Sequence, residues 1–291
     1  MTQNEATDLI PNVQSLLSHV DSVIVIDGGS QDLTIPYLRN WARSEPKLRF
    51  FISPWRDNFP EQRNQYLRRV GEIAADGDWV LVADPDEFFD LPTLESLRRL
   101  AAFVPTKREH FHGVSFQCRS VTMRGAERVH ENVDHYWKPL FFKWSPSLRY
   151  THAGEGAVHE TLSGITPIYQ TGHHPEFPAL LYEHRKQADV IWPRGARNLF
   201  IGGGGPNLGS KNKSWVELRA ITDRLGLKTW REFHAYLIAG EYDPALRDWM
   251  ICHRHESGYD GASEVREVYK TAFRLYHPEE EPPECRSESI E

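Results

Sequence analysis

An apolar run that ends in acidic residues most constrains how this chain can fold. Residues 79–83 (WVLVA) have the length of a buried strand and are too few for a helix, and Asp84, Asp86 and Glu87 follow directly. Buried strands of α/β folds end at ligand sites in this way. Because neighbouring carboxylates repel one another, the pattern favours a bound cation, and all-oxygen ligands suit Mn²⁺ or Mg²⁺ with phosphates completing the shell. A solvated acidic turn is the alternative interpretation.

The composition excludes a wholly disordered chain and argues against general nucleic-acid binding. The 291 residues are 40% hydrophobic and 26% charged, include nine tryptophans and carry a net charge of −7. The three cysteines are scattered and odd in number, which indicates a reducing compartment rather than a disulfide framework. The sequence shows no apolar run of membrane-spanning length and no signal-peptide core, so we expect a cytoplasmic protein.

The first half of the chain alternates between helix and strand patterns. Residues 23–26 and 48–52 read as buried strands, and the first of them ends at Asp27 beside two glycines that let a backbone approach a ligand. Asn58, followed by a proline and a glutamate, is placed to cap the next helix. The apolar spacing predicts that the buried face of this helix comprises Tyr66, Val70 and Ile73. Arg63 then lies in the first turns of that helix, where a guanidinium can reach a phosphate.

After the acidic residues, a helix is predicted whose inward face comprises Leu94, Leu97 and Leu100. The second half of the chain does not alternate between helix and strand patterns. Residues 113–121, 135–144 and 166–171 have strand character, and their short connections predict partly antiparallel pairing. The sequence therefore predicts an α/β sheet with a mixed extension. We expect the ligand outside the strand ends, where Asp27 and residues 84–87 lie.

A glycine-rich segment, residues 202–213, separates this sheet from helical patterns at 214–225, 230–239, 244–251 and 262–276. It is not a P-loop, because Lys211 is not followed by serine or threonine, but its lysines suit a lid over a phosphate ligand. We therefore predict three regions: a ligand-binding domain, a helical appendage and a disordered acidic tail. Their ranges are 1–205, 206–278 and 279–291.

Five short motifs together resemble glycosyltransferase family 2 of the GT-A fold. They occur in matching order at residues 2–5 (TQNE), 25–34 (VIDGGSQDLT), 63–64 (RN), 79–87 (WVLVADPDE) and 158–160 (VHE). The resemblance implies a GT-A-type, Rossmann-like mixed sheet flanked by helices. It also implies a metal-dependent enzyme that moves a sugar from a nucleotide-diphosphate sugar to a hydroxyl of a glycan, lipid or protein, with inversion at the anomeric carbon.

The resemblance also implies roles on the donor side of the site. Asp27 is expected to contact the base of the donor, and Glu5 to line the same nucleotide pocket. Asp84 and Asp86 are expected to form the Asp-x-Asp motif that holds Mn²⁺ or Mg²⁺ against the diphosphate, while Arg63 assists on the nucleotide side. A divalent cation stabilises the charge that gathers on the departing nucleotide.

On the acceptor side, a base must take the proton of the hydroxyl. We predict Glu160 as this base, with Glu87 as the next candidate, and His159 as a metal ligand or an orienting residue. Neighbouring side chains of an extended segment point to opposite faces, so we expect only one of Glu160 and His159 to act in the site. His173 and His174 are further candidates for the metal.

The start of the chain departs from the family pattern. Only three residues precede Asn4, so either the first strand is stunted or the natural chain starts earlier, which weakens the prediction for Glu5. Two other functions remain open. A nucleotidyltransferase on a related fold is expected to carry a glycine-rich loop where residues 4–7 (NEAT) stand. A non-catalytic nucleotide-sugar binding module differs from an enzyme only in lacking turnover.

Overall fold

The computed structural model describes seven parts of the chain in two compact units. The described residues are 1–103, 111–152, 160–172, 178–187, 213–239, 243–246 and 249. The first unit comprises Met1–Thr151 and Glu160–Lys186, and the second His152–His159 and Gln187–Glu291. The predicted boundary at residue 205 lies outside the described residues and stays a prediction, as does the predicted tail.

The first unit opens with the predicted alternation of helices and strands. Its elements are α1 (Ala6–Leu17), β1 (Val23–Asp27), α2 (Thr34–Trp41), β2 (Leu48–Ile52), α3 (Phe59–Val70) and β3 (Trp79–Leu81). The strands β1 and β2 pair in parallel, with Val23 opposite Leu48. A small core between them and the helices buries Leu9, Val13 and Leu38. The helix and strand periods of the sequence therefore predicted these elements correctly.

The rest of the first unit forms a mixed sheet that extends from β3. Its elements are β4 (Glu87–Phe89), α4 (Leu91–Phe103), β5 (Gly113–Arg124), β6 (Glu127–Lys143), β7 (Arg149–His152), β8 (Glu160–Ser163), β9 (Ile168–Gln170) and β10 (Leu181–Gln187). The strand order is β3-β6-β5-β10-β4, and β9 pairs with β5 in parallel. β5 and β6 form a long antiparallel hairpin, and β7 pairs with β8. The predicted mixed α/β architecture is confirmed.

The main core lies between this sheet and the helices. Leu94, Leu97 and Leu100 of α4 point inward as their spacing predicted, and Leu100 and Phe116 are fully buried. The prediction that Ile73 belongs to the buried face of α3 is wrong. The helix ends at Val70, so Ile73 lies beyond it and is 40% exposed.

The segment before α1 forms a single β-bridge. Thr2 forms a parallel bridge with Asp27, in which the Thr2 amide donates to the carbonyl of Ile26 at 2.9 Å and the Gly28 amide donates to the carbonyl of Thr2 at 2.8 Å. Asn4 then adopts a left-handed conformation, with φ of 55°, and the chain enters α1. In residues 1–5, the β pairing is therefore limited to this bridge at Thr2.

In the second unit, the structure describes two helices and a short segment after them. They are α5 (Lys213–Arg224) and α6 (Trp230–Ala239), close to the predicted limits, and Leu218, Phe233, Leu237 and Leu246 are buried. Asp243 accepts a hydrogen bond from Arg224 at 2.7 Å. Its amide donates to the hydroxyl of Tyr236. Most of the predicted helix at 244–251 and all of that at 262–276 lie outside the described residues.

We expect the cap of α3 to contribute measurably to stability. Oδ1 of Asn58 accepts a hydrogen bond from the amide of Glu61 at 2.9 Å. Asn58→Ala should lower the free energy of unfolding by about 1 kcal/mol, because the substitution leaves this amide without its partner. Asn58→Asp keeps a capping oxygen and is the control. Urea unfolding that shows equal losses for the two variants would contradict this role of the cap.

Candidate active site

The acidic residues after β3 lie in one short loop, which is closed by two hydrogen bonds between its ends. The Glu87 amide donates to the carbonyl of Asp84 at 2.9 Å, and Oε2 of Glu87 accepts from the Asp84 amide at 3.0 Å. Glu87 then begins β4, whose short antiparallel pairing with β10 fixes the far end of the loop. Asp84, Asp86 and Glu87 therefore lie together at the end of β3, as the sequence predicts.

The guanidinium of Arg63 lies between two acidic side chains, those of Asp84 and Glu160. Its Nη1 and Nη2 atoms donate to the two carboxylate oxygens of Asp84, at 3.1 and 2.8 Å, and its Nε donates to Oε1 of Glu160. The guanidinium also lies 5.7 Å from the ring centroid of Tyr150. The neighbouring Asn64 pairs with both the amide and the carbonyl of Tyr150. One buried side chain thus joins α3 to the ends of β3 and β8.

Lys138 of β6 supplies a second positive charge. Its Nζ atom lies 2.5 Å from Oε1 of Glu87 and 3.5 Å from Oδ2 of Asp84. Burial by itself would raise the pKa of Asp84, but the charges of Arg63 and Lys138 outweigh burial and hold this pKa well below its usual value. Sequence reasoning missed Lys138. The available signal was a lysine directly before an apolar run in a predicted strand.

Asp86 faces a histidine of β10. Nε2 of His184 lies 3.5 Å from Oδ2 of Asp86, and the Arg185 amide donates to the carbonyl of Asp86 at 2.8 Å. Burial lowers the pKa of His184, but hydrogen bonds with Asp86 and Cys118 outweigh this and raise it to about 9. The imidazole is therefore protonated at neutral pH. Neither β10 nor His184 was predicted from the sequence.

Asn12 of α1 holds the acidic loop from the other side. Its side chain is buried, and Nδ2 lies within hydrogen-bonding distance of three carbonyl oxygens, 3.1 Å from those of Asp84 and Pro85 and 2.7 Å from that of Glu87. Sequence reasoning missed Asn12 as well. A polar residue on the apolar face of α1, next to Val13, was the signal.

The carboxylate of Asp27 accepts hydrogen bonds from the turn that follows β1. Asp27 is fully buried, and its carboxylate accepts from the Gly29 amide and from the amide and hydroxyl of Ser30, at 2.8, 2.7 and 2.6 Å. As placed, this carboxylate forms the turn, and contact with a base requires the turn to rearrange. The side chain of Asn4 accepts from the Gln31 amide, which holds the segment that leads into Glu5 against the same turn.

Several predicted site residues fall outside the described part of the chain. These are His159, His173, His174 and nearly all of the glycine-rich segment 202–213. Their roles stay predictions. The structure brings together Arg63, Asp84, Asp86, Glu87 and Glu160 through the contacts described above.

The oxygen ligands of the cluster suit a hard divalent cation. Among the residues that the structure describes, no group of three His, Cys, Asp or Glu side chains is arranged to hold a metal ion. Both oxygens of Asp84 accept from Arg63, whereas Oδ2 of Asp86 forms a longer ion pair with His184 at 3.5 Å, so Asp86 is the better placed of the two to hold a cation. Mg²⁺ is commonly held by one or two carboxylates together with the phosphates of a ligand, and Asp86 fits that arrangement.

Comparison with known proteins places the chain in a family. Residues 1–146, half of the chain, match the family model described as Glycosyl transferase family 2. The chain belongs to glycosyl transferase family 2. The match includes the turn after β1, Arg63 and the acidic loop, so the predicted family and class of protein are confirmed.

One curated relative matches this family 2 chain over about a third of its length. The TPR repeat-containing protein Synpcc7942_0270 of Synechococcus elongatus is 34% identical over 99 residues, which are 34% of this chain and 22% of that protein. The chain thus matches about a fifth of the length of this curated relative.

Two solved structures are similar over most of the chain. One is S. aureus TarS 1-349 in complex with UDP (15% identity, TM-score 0.41, covering 96% of this chain and 90% of TarS 1-349). The other is mannosyltransferase PcManGT from Pyrobaculum calidifontis with GDP-Man and Mn²⁺ (14% identity, TM-score 0.37, 96% and 86% coverage). Both TM-scores are low, so the overall superposition is loose.

We expect the contacts of Arg63 to dominate the stability of the acidic cluster. Arg63→Met should lower the free energy of unfolding by about 3–5 kcal/mol, because it leaves Asp84 and Glu160 buried without their shared guanidinium. Arg68→Met, at an exposed position of the same helix, is the matched control and should change stability by less than about 0.5 kcal/mol. Equal urea midpoints for the two variants would refute the structural role of Arg63.

Proposed function

We propose that this family 2 member transfers a sugar from a nucleotide-diphosphate sugar to a hydroxyl acceptor, with Mn²⁺ or Mg²⁺ and with inversion. The cluster in which Arg63 joins the acidic loop to Glu160 is the observation that best supports the proposal. It combines carboxylates that suit a metal ion and a base with buried cations that keep these carboxylates ionised.

On the donor side, we assign the nucleotide-diphosphate to the space beside the acidic loop. Asp86 would hold the metal ion, and Asp84 would keep Arg63 oriented toward the nucleotide. A bound divalent cation supplies Lewis-acid stabilisation for the charge on the departing diphosphate. Glu5 and Asp27 would line the nucleotide pocket, with Asp27 acting through the turn that it organises.

On the acceptor side, the contacts favour Glu160 over Glu87 as the base. Lys138 binds one carboxylate oxygen of Glu87, the Asp84 amide binds the other, and the side chain is 3% exposed. Within the described part of the chain, Glu160 uses only Oε1, for Arg63, and its side chain is 13% exposed. Its second oxygen therefore suits removal of the hydroxyl proton. Attack from the side opposite the departing nucleotide inverts the anomeric carbon.

Further assignments concern residues outside the described part of the chain. His159 is the alternative to Glu160 as the residue of this pair that acts in the site, in the role of a metal ligand, and we propose the segment 202–213 as a lid over the donor. The acceptor would be a glycan, lipid or protein hydroxyl, and the cytoplasm is the proposed location. None of the described helices is long and apolar enough to cross a membrane.

A donor-binding and turnover experiment tests the proposal. UDP and GDP, and sugars linked to them, serve as probes with Mn²⁺ or with a chelator. The parent chain should bind one nucleotide more tightly with Mn²⁺ and release it from its sugar. Asp86→Asn should abolish the Mn²⁺-dependent gain in nucleotide affinity, because the substitution removes the charge and little volume. Asp76→Asn, at an exposed site, should leave this gain unchanged. Metal-dependent binding without turnover would instead indicate a binding module.

The assignment of the base has its own test. Glu160→Gln should lower kcat by roughly a hundredfold or more and leave the donor KM nearly unchanged. Glutamine still accepts the hydrogen bond from Arg63, so the loss reports proton transfer rather than a broken contact. Glu87→Gln is the matched comparison and should retain most of the activity. The reverse result would transfer the role of base to Glu87.

A further inference from the structure

Three arginine side chains gather around one glutamate on the sheet of the first unit. We call these four residues the arginine cluster, and they come from three neighbouring strands: Arg119 of β5, Arg128 of β6, and Glu183 and Arg185 of β10. Arg185 donates from Nε and Nη2 to Oε2 of Glu183, at 2.9 and 2.7 Å. Arg128 donates to the same oxygen at 2.8 Å. Nη1 of Arg119 lies 3.7 Å from the other oxygen, Oε1.

The arginine cluster lies on the face of the sheet opposite to the acidic loop. Successive side chains of a strand point to opposite faces. His184 contacts Asp86 of the acidic loop, so Glu183 and Arg185, on either side of it in β10, point to the other face. Ligand binding at the cluster is therefore independent of the proposed glycosyl transfer.

The acidic residues of this region do not balance its arginines. Burial raises the pKa of Glu183, but hydrogen bonds from Arg128 and Arg185 outweigh burial and lower it, so Glu183 is ionised at neutral pH. Glu131, which accepts from Arg128 at 3.2 Å, is the other acidic partner among the described residues. Three positive charges thus face two negative ones. The whole chain carries a net charge of −7, so its composition does not explain this local surplus.

Arg119 is the least satisfied member of the cluster. Its Nε is buried and has no hydrogen-bond partner in the described part of the chain, and its distance of 3.7 Å from Glu183 exceeds that of a hydrogen bond. In contrast, Arg185 lies over the ring of Phe88, 4.0 Å from the centroid, which fixes its plane. The side chains of Arg119 and Arg185 are 31% and 32% exposed, so a ligand can reach both from solvent.

The chemistry of these donors specifies an oxyanion. A planar guanidinium presents paired N–H groups that match the oxygens of a phosphate or a carboxylate. A phosphate group has more acceptor oxygens than a carboxylate and a larger negative charge. It therefore suits donors from more than one arginine and compensates the surplus positive charge.

We propose that the arginine cluster binds a phosphate group, with Arg119 as the main contact and Arg185 as the second donor. Glu183 would hold the guanidiniums close together, and the phosphate would accept the hydrogen bonds that the protein leaves over. Arg128 would add positive charge from β6. The phosphate is either the free ion or a phosphate ester, since both present the same oxygens.

A titration with inorganic phosphate tests this proposal. The whole chain is used without divalent metal ions, and sodium chloride at matched ionic strength is the reference. Binding is followed by NMR at the Nε–H signals of Arg119 and Arg185, which should shift and saturate. Arg119→Gln should weaken the phosphate affinity, measured at Arg185, by about tenfold or more, because it removes a charged donor.

Arg124→Gln is the matched control. Arg124 lies at the exposed end of β5, so the substitution removes the same charge from the same strand outside the cluster. The phosphate affinity should stay within about twofold of the parent value, because solvent and salt screen a distant exposed charge. A second titration with glycerol 2-phosphate distinguishes the two sources. Equal affinity would identify a site for phosphate esters, and much weaker affinity a site for the free ion.

The other outcomes reject the proposal. Signals that shift no further with phosphate than with sodium chloride would show that the cluster binds no phosphate. Full affinity in Arg119→Gln, or an equal loss in Arg124→Gln, would show that phosphate binds elsewhere or without specificity. If phosphate does not bind and Arg119→Gln lowers the urea midpoint, the arginines only brace the three strands.

Discussion

The site depends on one buried guanidinium. Burying the charge of Arg63 is unfavourable unless partners compensate it, and Asp84 and Glu160 provide two carboxylates at hydrogen-bonding distance. The bidentate contact with Asp84 fixes the orientation of the planar group. Arg63 lies in α3, Asp84 follows β3, and Glu160 begins β8. The position of Glu160 in the site therefore depends on its contact with Arg63.

The protein itself offsets most of the negative charge of the acidic cluster. Arg63, Lys138 and protonated His184 face four carboxylates, so the acids are held close together without requiring a metal ion for assembly. Asn12 fixes the backbone of the loop through its carbonyls. Because hydrogen bonds and ion pairs already organise the loop, the metal ion and diphosphate that we propose for this site would bind with little reordering of the protein.

Local signals in the sequence predicted local structure well. The cap at Asn58, the strand at 48–52 and the inward face of α4 were all correct, because each depends on neighbours within one or two turns or on a simple period. The failures were elements set by distant partners. β10 has a mixed, charged sequence, and its strand conformation follows from pairing with β4. Ile73 was wrongly assigned to the buried face of α3, because the apolar spacing in the sequence continues about one turn beyond the end of the helix.

By itself, the sequence determined the family, the alternation of helices and strands, and the meeting of three acidic residues at the end of β3. Only the tertiary structure decided which cations face them, because Lys138 is 51 positions from Glu87 and Glu160 is 97 positions from Arg63. Such contacts depend on strand order and register, which periodicity does not encode.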